Sequence, residues 1–144
     1  MLLVDADPQG SLSQAFVGSS KVEMLRADET LAAVFDGESL VERAEEILLS
    51  THVEGIDLVP ANLELSKFNV PEPMDTGMAQ FALASLLEST TGYDIVLIDC
   101  PPNLYQCSWN ALLASDYVAI PLNADDFGVQ GLRTSKRRLC MLNS

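Results

Sequence analysis

The sequence has few of the residues on which covalent catalysis or cross-linking depends. It contains three cysteines and one histidine among 144 residues. The spacing of Cys100 and Cys107 fits neither a disulfide framework nor a common zinc site. No serine or cysteine elbow accompanies His52, which argues against a nucleophilic triad. We therefore expect Cys100 to be a small buried residue and His52 to lie at the surface.

Basic residues are also scarce, with eight Lys and Arg against 21 Asp and Glu and a net charge of -13. Contacts with phosphates supply most non-specific affinity for nucleic acids, so the body of this chain is not expected to lie on DNA or RNA. Half of the basic residues fall in one short stretch, as Arg133, Lys136, Arg137 and Arg138. This cluster is either the solvated face of a helix or a contact with DNA or a partner.

Long apolar runs are absent as well. No stretch approaches the roughly 18 consecutive apolar residues of a membrane-spanning helix. The apolar beginning, residues 1–4, is interrupted by Asp5 and does not resemble a secretory signal. The sequence therefore favours a cytoplasmic protein without membrane association.

Strand-like and helix-like segments alternate along the chain, which predicts an α/β fold. The expected architecture is a mostly parallel sheet with helices on both faces. Ile95-Val96-Leu97-Ile98 has no polar alternation, so we expect this strand to be covered on both faces. Phe81 and Trp109 lie on apolar helix faces and are expected in the core. Further strands are expected at 1–5, 55–62 and 117–120, and helices at 11–16, 30–35, 39–49, 78–88, 104–113 and 129–142.

Two of these strands end in aspartates. Asp5 and Asp7 follow the first apolar run, and Asp99 follows the run at 95–98. The carboxyl ends of strands are where open α/β sheets place their ligands. Each aspartate taken alone is equally well explained as a helix or turn cap. Together they predict three carboxylates that converge on one ligand.

The segments around these aspartates resemble the ParA family of partition ATPases, within the MinD/ParA group of P-loop proteins. Asp5-Ala-Asp7-Pro8-Gln9-Gly10 resembles the switch I segment, and Ile98-Asp99-Cys100-Pro101-Pro102 resembles the Walker B strand and switch II. The run Ala119-Ile120-Pro121-Leu122, with Phe127 and Gly131, resembles the next strand and loop. The Asp-Pro-Gln turn favours ParA over a membrane-associated MinD-like ATPase or an iron-protein reductase.

The resemblance implies an ATP and magnesium site with particular roles for these residues. Asp99 is expected to reach magnesium through a coordinated water, and Asp5 to support the water shell of the metal. Asp7 is expected to orient the attacking water. Pro121 and Phe127 are expected to border the nucleotide.

One part of the family pattern is missing from residues 1–144. No Gly-Lys-Ser or Gly-Lys-Thr sequence, the core of the family's phosphate loop, occurs in the chain. We therefore expect residues 1–144 to be a partial ParA-type nucleotide-binding domain that lacks its first strand, its phosphate loop and its C-terminal part. An in-frame upstream extension of roughly 30–40 residues, the size of one βα unit, would supply the loop. The missing strand should lie beside 95–98 and leave that edge uncovered.

Two hypotheses of function follow. The first is a ParA-like ATPase for plasmid or chromosome partitioning, inactive in this short form. The resemblance implies a ParB-like partner, DNA, and a nucleotide-dependent homodimer for the complete protein. The second is a non-catalytic remnant that acts as a binding module.

Overall fold

A computed structural model of the chain describes residues 1–36 and 44–121. The described strands are β1 (Leu2–Asp5), β2 (Leu49–Ser50), β3 (Asp57–Val59) and β4 (Val96–Asp99). The described α-helices are α1 (Ser11–Val17), α2 (Ser19–Glu23), α3 (Ala32–Phe35), α4 (Ala82–Ser89) and α5 (Gln106–Ala114). Short 3-10 segments occupy Ala27–Glu29, Ala44–Glu46, Leu63–Lys67 and Pro73–Phe81.

The described strands form one mixed, mostly parallel sheet. Their order is β2, β3, β1, β4, with β1 parallel to both β3 and β4 and with β2 antiparallel to β3. Leu3 of β1 lies opposite Leu58 of β3 and Leu97 of β4. The predicted α/β class is confirmed, and the central position of β1 places the end of its strand next to the end of β4.

Helices cover both faces of the sheet around β1, because alternate residues of a strand point to opposite sides. Leu2 and Val4 belong to the main core cluster, to which α3, α4 and α5 contribute Phe35, Leu86 and Ala111. Helix α1 lies on the opposite face, where Asp5 binds Ser13. Both faces of β1 are therefore buried.

Strand β4 is covered far less than the sequence predicts. Val96 is 38% exposed and Leu97 is 55% exposed, and within the described part of the chain β4 is the last strand of the sheet. The expectation of two covered faces is thus wrong for the described residues. A purely apolar run signals that a strand is buried in the finished fold, but it does not reveal which element buries it.

The expected strand at 117–120 is not formed. These residues follow α5 without regular structure, and Tyr117 is 93% exposed. A strand needs a hydrogen-bonded neighbour, and no described strand lies beside this segment. The apolar composition of 117–120 was therefore an insufficient signal.

Several element boundaries also differ from the prediction. The expected strand at 55–62 shortens to β3, which Pro60 ends because proline lacks an amide donor. The helix expected at 78–88 begins only at Ala82, after a 3-10 segment with non-helical backbone at Gly77. The helix expected at 39–49 lies partly outside the described residues, and Leu49 already belongs to β2. The helix expected at 129–142 lies wholly outside them.

Two of the four expectations about the burial of single residues are confirmed, and two are wrong. Trp109 is buried and His52 is exposed, as expected. Phe81 is 39% exposed rather than in the core, because it stands at the junction of the 3-10 segment with α4. Cys100 is exposed rather than buried, since it leaves the sheet at the uncovered edge.

Candidate functional site

The carboxyl end of the sheet brings the three predicted aspartates to one edge. Asp5 and Asp99 are register partners in the neighbouring parallel strands β1 and β4. The Ala6 amide donates to the Asp99 carbonyl over 2.8 Å and holds the two strand ends together. Asp7 lies in the turn directly after β1. The shared edge is therefore as the sequence predicts, whereas the chemical roles of the three carboxylates stay predictions.

Asp5 is fully buried, and both of its carboxylate oxygens accept hydrogen bonds from the chain. Oδ2 accepts from the Ser13 amide over 2.8 Å and from the Ser13 hydroxyl over 2.7 Å. Oδ1 accepts from the Asp7 amide over 3.1 Å. Burial raises the pKa of Asp5, the bonds from Ser13 and Asp7 oppose this, and the charge of Asp99 adds to the rise.

Asp5 thereby caps helix α1 from a distance. The residue at the N-cap position is Gly10, which has no side chain with which to bind the free amides of the first turn. The Asp5 carboxylate reaches one of those amides, that of Ser13. A negative charge is also favourable near the positive end of a helix.

Asp7 lies in a tight turn, and the side chain of Asp7 itself helps to close that turn. Its Oδ1 accepts from the Gln9 amide over 2.9 Å, and its carbonyl accepts from the Gly10 amide over 2.9 Å. Within the described residues no donor is bound to its Oδ2. One carboxylate oxygen of Asp7 is thus engaged in the turn and the other is available to a ligand.

Asp99 is exposed at the end of β4. The pKa of its carboxyl is raised, first because the group itself is partly desolvated and then because of the charge of Asp7, while a hydrogen bond from the Cys100 amide opposes the rise. Although Cys100 is exposed at the surface, partial desolvation of its thiol by the surrounding chain, together with the charges of Asp99, Asp7 and Asp5, raises its pKa to about 11. The thiol is therefore protonated at neutral pH and is a poor metal ligand or nucleophile.

No cation of the described chain offsets this negative site. Within residues 1–36 and 44–121 the ion pairs join Arg26 to Asp28 and Glu29, and Lys67 to Glu64. At the edge of the sheet the charge of Asp99 raises the pKa of Asp5, and the charge of Asp7 raises the pKa of Asp99. A bound cation would relieve this repulsion.

The donor set fits hydrated magnesium better than a bare ion. Magnesium prefers oxygen ligands, keeps several waters, and is often held by only one or two carboxylates. In the described parts of the chain no group of three or more His, Cys, Asp or Glu residues is placed to hold a metal ion, so the three aspartates do not form a metal site by themselves. Asp99 and Asp7 would accordingly hold magnesium through its water molecules. The sequence has no Gly-Lys-Ser or Gly-Lys-Thr loop, whose backbone amides and lysine would bind the phosphates of a nucleotide.

The two residues expected to border a nucleotide are less well defined. Pro121 is exposed and is the last described residue after α5. Phe127 lies outside the described residues. Their assignment stays a prediction.

Sequence reasoning missed Ser13 and Ala61 as parts of this site, and it included Gly10 in the segment that resembles switch I without its contact with Ala61. The Ser13 hydroxyl accepts from the Ala61 amide over 2.9 Å while it donates to Asp5. A Cβ on Gly10 would lie 2.6 Å from the Ala61 carbonyl oxygen. A serine in the first turn of a helix that directly follows a strand ending in aspartate is a local signal that could have been read.

The fold and this edge define the class of the protein as a P-loop NTPase-like α/β domain. A family model described as "AAA domain" matches residues 1–141. The chain belongs to that AAA domain family, and its relatives include ParA-type partition proteins.

Two relatives illustrate this group. The chain is 35% identical over 135 residues to the sporulation initiation inhibitor protein Soj of Bacillus subtilis, covering 92% of this chain and 49% of Soj. It is 34% identical over 142 residues to the chromosome partitioning protein ParA of Caulobacter vibrioides, covering 96% of this chain and 50% of ParA. The chain thus spans about half the length of these relatives.

Solved structures of partition proteins and of a related synthase have the same fold as this chain. A plasmid partition protein from Borrelia burgdorferi superposes with a TM-score of 0.80 at 26% identity, covering 99% of this chain and 60% of that protein. Cobyrinic acid a,c-diamide synthase from Mycobacterium smegmatis, solved with an ATP analogue and magnesium, gives a TM-score of 0.77 at 30% identity, covering 98% and 53%.

Proposed function

We propose that this chain is the switch-bearing part of a ParA-type ATPase that uses ATP and magnesium to partition plasmid or chromosomal DNA. The observation that carries the proposal is the pairing of Asp5 with Asp99 at the carboxyl edge of parallel strands, with Asp7 in the adjoining turn. The similarity to Soj and ParA supports the same activity.

Each carboxylate has a separate role in this proposal. Asp99 holds magnesium through a coordinated water, and Asp7 orients the water that attacks the terminal phosphate. Asp5 supports the metal's water shell from behind the turn. Magnesium, when bound, would offset the negative charge of the phosphates. Pro121 and Phe127 border the nucleotide.

A missing strand forms part of the proposal. We place a further parallel strand, with its phosphate loop, beside β4, where Val96 and Leu97 are exposed. The same strand would give residues 117–120 the neighbour that they lack among the described strands. Residues 1–144 are then part of a larger nucleotide-binding domain.

The partners proposed for the complete protein are those of the family. They are a ParB-like protein, DNA, and a second copy of the protein in a nucleotide-dependent homodimer. We place its action in the cytoplasm. Within residues 1–36 and 44–121, none of the helices has the length and apolar character needed to cross a bilayer.

A non-catalytic binding module is the alternative. It is favoured by one observation, the lack of a Gly-Lys-Ser or Gly-Lys-Thr sequence in residues 1–144. In that case the acidic edge would have a structural role only.

Manganese titration of the isotopically labelled chain tests the metal site. Mn²⁺ is expected to broaden the amide signals of Asp7, Asp99 and Cys100 first, and excess Mg²⁺ is expected to restore them. Asp99→Ala should abolish this local broadening. His52→Ala is the control and should leave it unchanged, because His52 is exposed and its ring binds the Phe16 carbonyl. Broadening spread evenly over the acidic surface in all three proteins would favour the binding module.

A further inference from the structure

We propose that Ser13 is a positioning residue, which acts through the buried Asp5 carboxylate to fix the turn that carries Asp7. This inference rests on the proposed function, in which Asp7 orients the attacking water beside the magnesium ion. Ser13 itself is fully buried and does not reach that ligand.

The first step is the double hydrogen bond between Ser13 and Asp5. The amide and the hydroxyl of Ser13 both donate to Asp5 Oδ2, over 2.8 and 2.7 Å. Bonds to a charged acceptor are about twice as strong as neutral ones. Ser13 therefore holds the Asp5 carboxylate in one orientation.

The second step passes from Asp5 to Asp7. With Oδ2 held by Ser13, the other oxygen of Asp5 points at the Asp7 amide and accepts from it over 3.1 Å. This contact sets where the turn begins. The Gln9 amide then closes the turn on Asp7 Oδ1 over 2.9 Å, so the orientation of the Asp7 carboxylate depends on the turn.

The third step is a hydrogen bond between Ser13 and the chain that follows β3. The Ser13 hydroxyl accepts from the Ala61 amide over 2.9 Å, just beyond the end of β3. Ser13 thus joins α1, the end of β1 and the chain after β3 through one oxygen atom. A single small hydroxyl in the core fixes the turn relative to two strands of the sheet.

Asp5 is consequently a poor candidate for a direct metal ligand. Both of its oxygens are engaged with the chain, and the residue is fully buried. Its support of the metal site is indirect and runs through the position of Asp7.

Three variants test this assignment. Ser13→Ala removes the hydroxyl, and Ser13→Thr keeps it. Thr30→Val is the matched control, because Thr30 is another fully buried hydroxyl that donates to one backbone group and accepts from another, the Ala27 carbonyl and the Ala32 amide.

Amide hydrogen exchange of Gln9 and Ala61 is the first measurement. Ser13→Ala is expected to speed exchange at both amides by about fivefold, the effect of losing one ordinary hydrogen bond. Ser13→Thr should restore the rate at Gln9, and Thr30→Val should leave it unchanged. An unchanged Gln9 rate in Ser13→Ala would overturn the proposal. If Ser13→Ala does not fold, Asp5→Asn gives the same test, since it keeps an acceptor for the Asp7 amide and loses the charged acceptor for Ser13.

Mn²⁺ affinity is the second measurement, and it separates a positioning role from a merely structural one. Ser13→Ala should bind Mn²⁺ several-fold more weakly than Thr30→Val, and Ser13→Thr should bind it as the unaltered chain does. Affinity that falls equally in Ser13→Ala and Thr30→Val would overturn the positioning role. If the unaltered chain binds no Mn²⁺ but Gln9 exchange changes as expected, the proposed function fails and the role of Ser13 in fixing the turn stands.

Discussion

At the scale of single residues, Gly10 combines a left-handed backbone with a lack of space for a side chain, whereas the other described glycines with positive φ have only the first of these. Its φ is +63°, in the left-handed region, and a Cβ on it would lie 2.6 Å from the Ala61 carbonyl oxygen. Gly18, Gly55, Gly77 and Gly92 also have positive φ, but a Cβ on any of them would meet no other atom within 4 Å. Gly10 is therefore required for both its conformation and its lack of a side chain.

We expect Gly10→Ala to destabilise the chain more than Gly55→Ala does. Both changes strain a left-handed backbone, which costs about 1 kcal/mol, but only the first drives a methyl group into a carbonyl oxygen. Overpacking of that kind costs typically 1–3 kcal/mol more. Urea unfolding of the two variants measures the difference. Equal losses of unfolding free energy would show that the turn moves away from Ala61 without cost.

The aspartates show what could be predicted about single residues. Their presence at one edge followed from two apolar runs that each end in Asp, because parallel strands end on the same side of a sheet. That Asp5 is buried and Asp7 is partly open did not follow. The difference comes from Ser13, which binds Asp5 from the first turn of α1, and from Ala61, which is distant in the sequence and reaches Ser13 only in the fold.

At the scale of elements, β1 and β4 have similar apolar sequences but different surroundings. Leu3 of β1 and Leu97 of β4 are register partners on one face of the sheet. Leu3 is 2% exposed and Leu97 is 55% exposed. Local sequence therefore predicts that both segments are strands, and the arrangement of the other elements decides which of them is covered.

This contrast predicts that the same substitution changes the free energy of unfolding much more in β1 than in β4. Leu97→Thr should change the free energy of unfolding by less than about 1 kcal/mol, since it removes a side chain that is already exposed. It should also lower the binding of a dye that reports exposed apolar surface. Leu3→Thr should cost about 2–5 kcal/mol, the usual range for truncating a buried leucine.

Thermal unfolding and dye fluorescence of the two variants provide the test. Threonine has a β-branched side chain, which favours strands, so neither change weakens the strand itself. A large loss of stability in Leu97→Thr would mean that another part of the chain covers β4.

Three elements were predicted well from their local sequence alone, although the strand partners of β1 are distant in the sequence. The ends of β1, α1 and α5 lie within two residues of their expected positions. The strand predicted at 117–120 is not formed, because a strand requires a hydrogen-bonded neighbouring strand and the periodicity of the sequence does not show whether one is present. The 3-10 segment before α4 was missed because Gly77 breaks the helical backbone there.

At the scale of the whole molecule, charge decides what the chain can bind. The net charge is -13, and three carboxylates meet at the edge where the proposed function places ATP and magnesium. Burial raises the pKa of both Asp5 and Asp99, and the charge of Asp99 adds to the rise at Asp5 while the charge of Asp7 adds to the rise at Asp99. A nucleotide phosphate would add further negative charge to this edge, and no described Lys or Arg pairs with these carboxylates.

We therefore expect residues 1–144 to bind ATP–Mg weakly or not at all. Backbone amides of a Gly-rich loop and its lysine normally neutralise the phosphates, and the chain has no such sequence. Calorimetric titration with ATP–Mg should give no binding in the micromolar range. As the positive control, the same chain preceded by a strand, a Gly-rich phosphate loop with its lysine, and a helix should bind, because the added strand can pair with β4. Micromolar affinity of residues 1–144 alone, lost in Asp7→Ala, would contradict both the electrostatic argument and the place proposed for the missing strand.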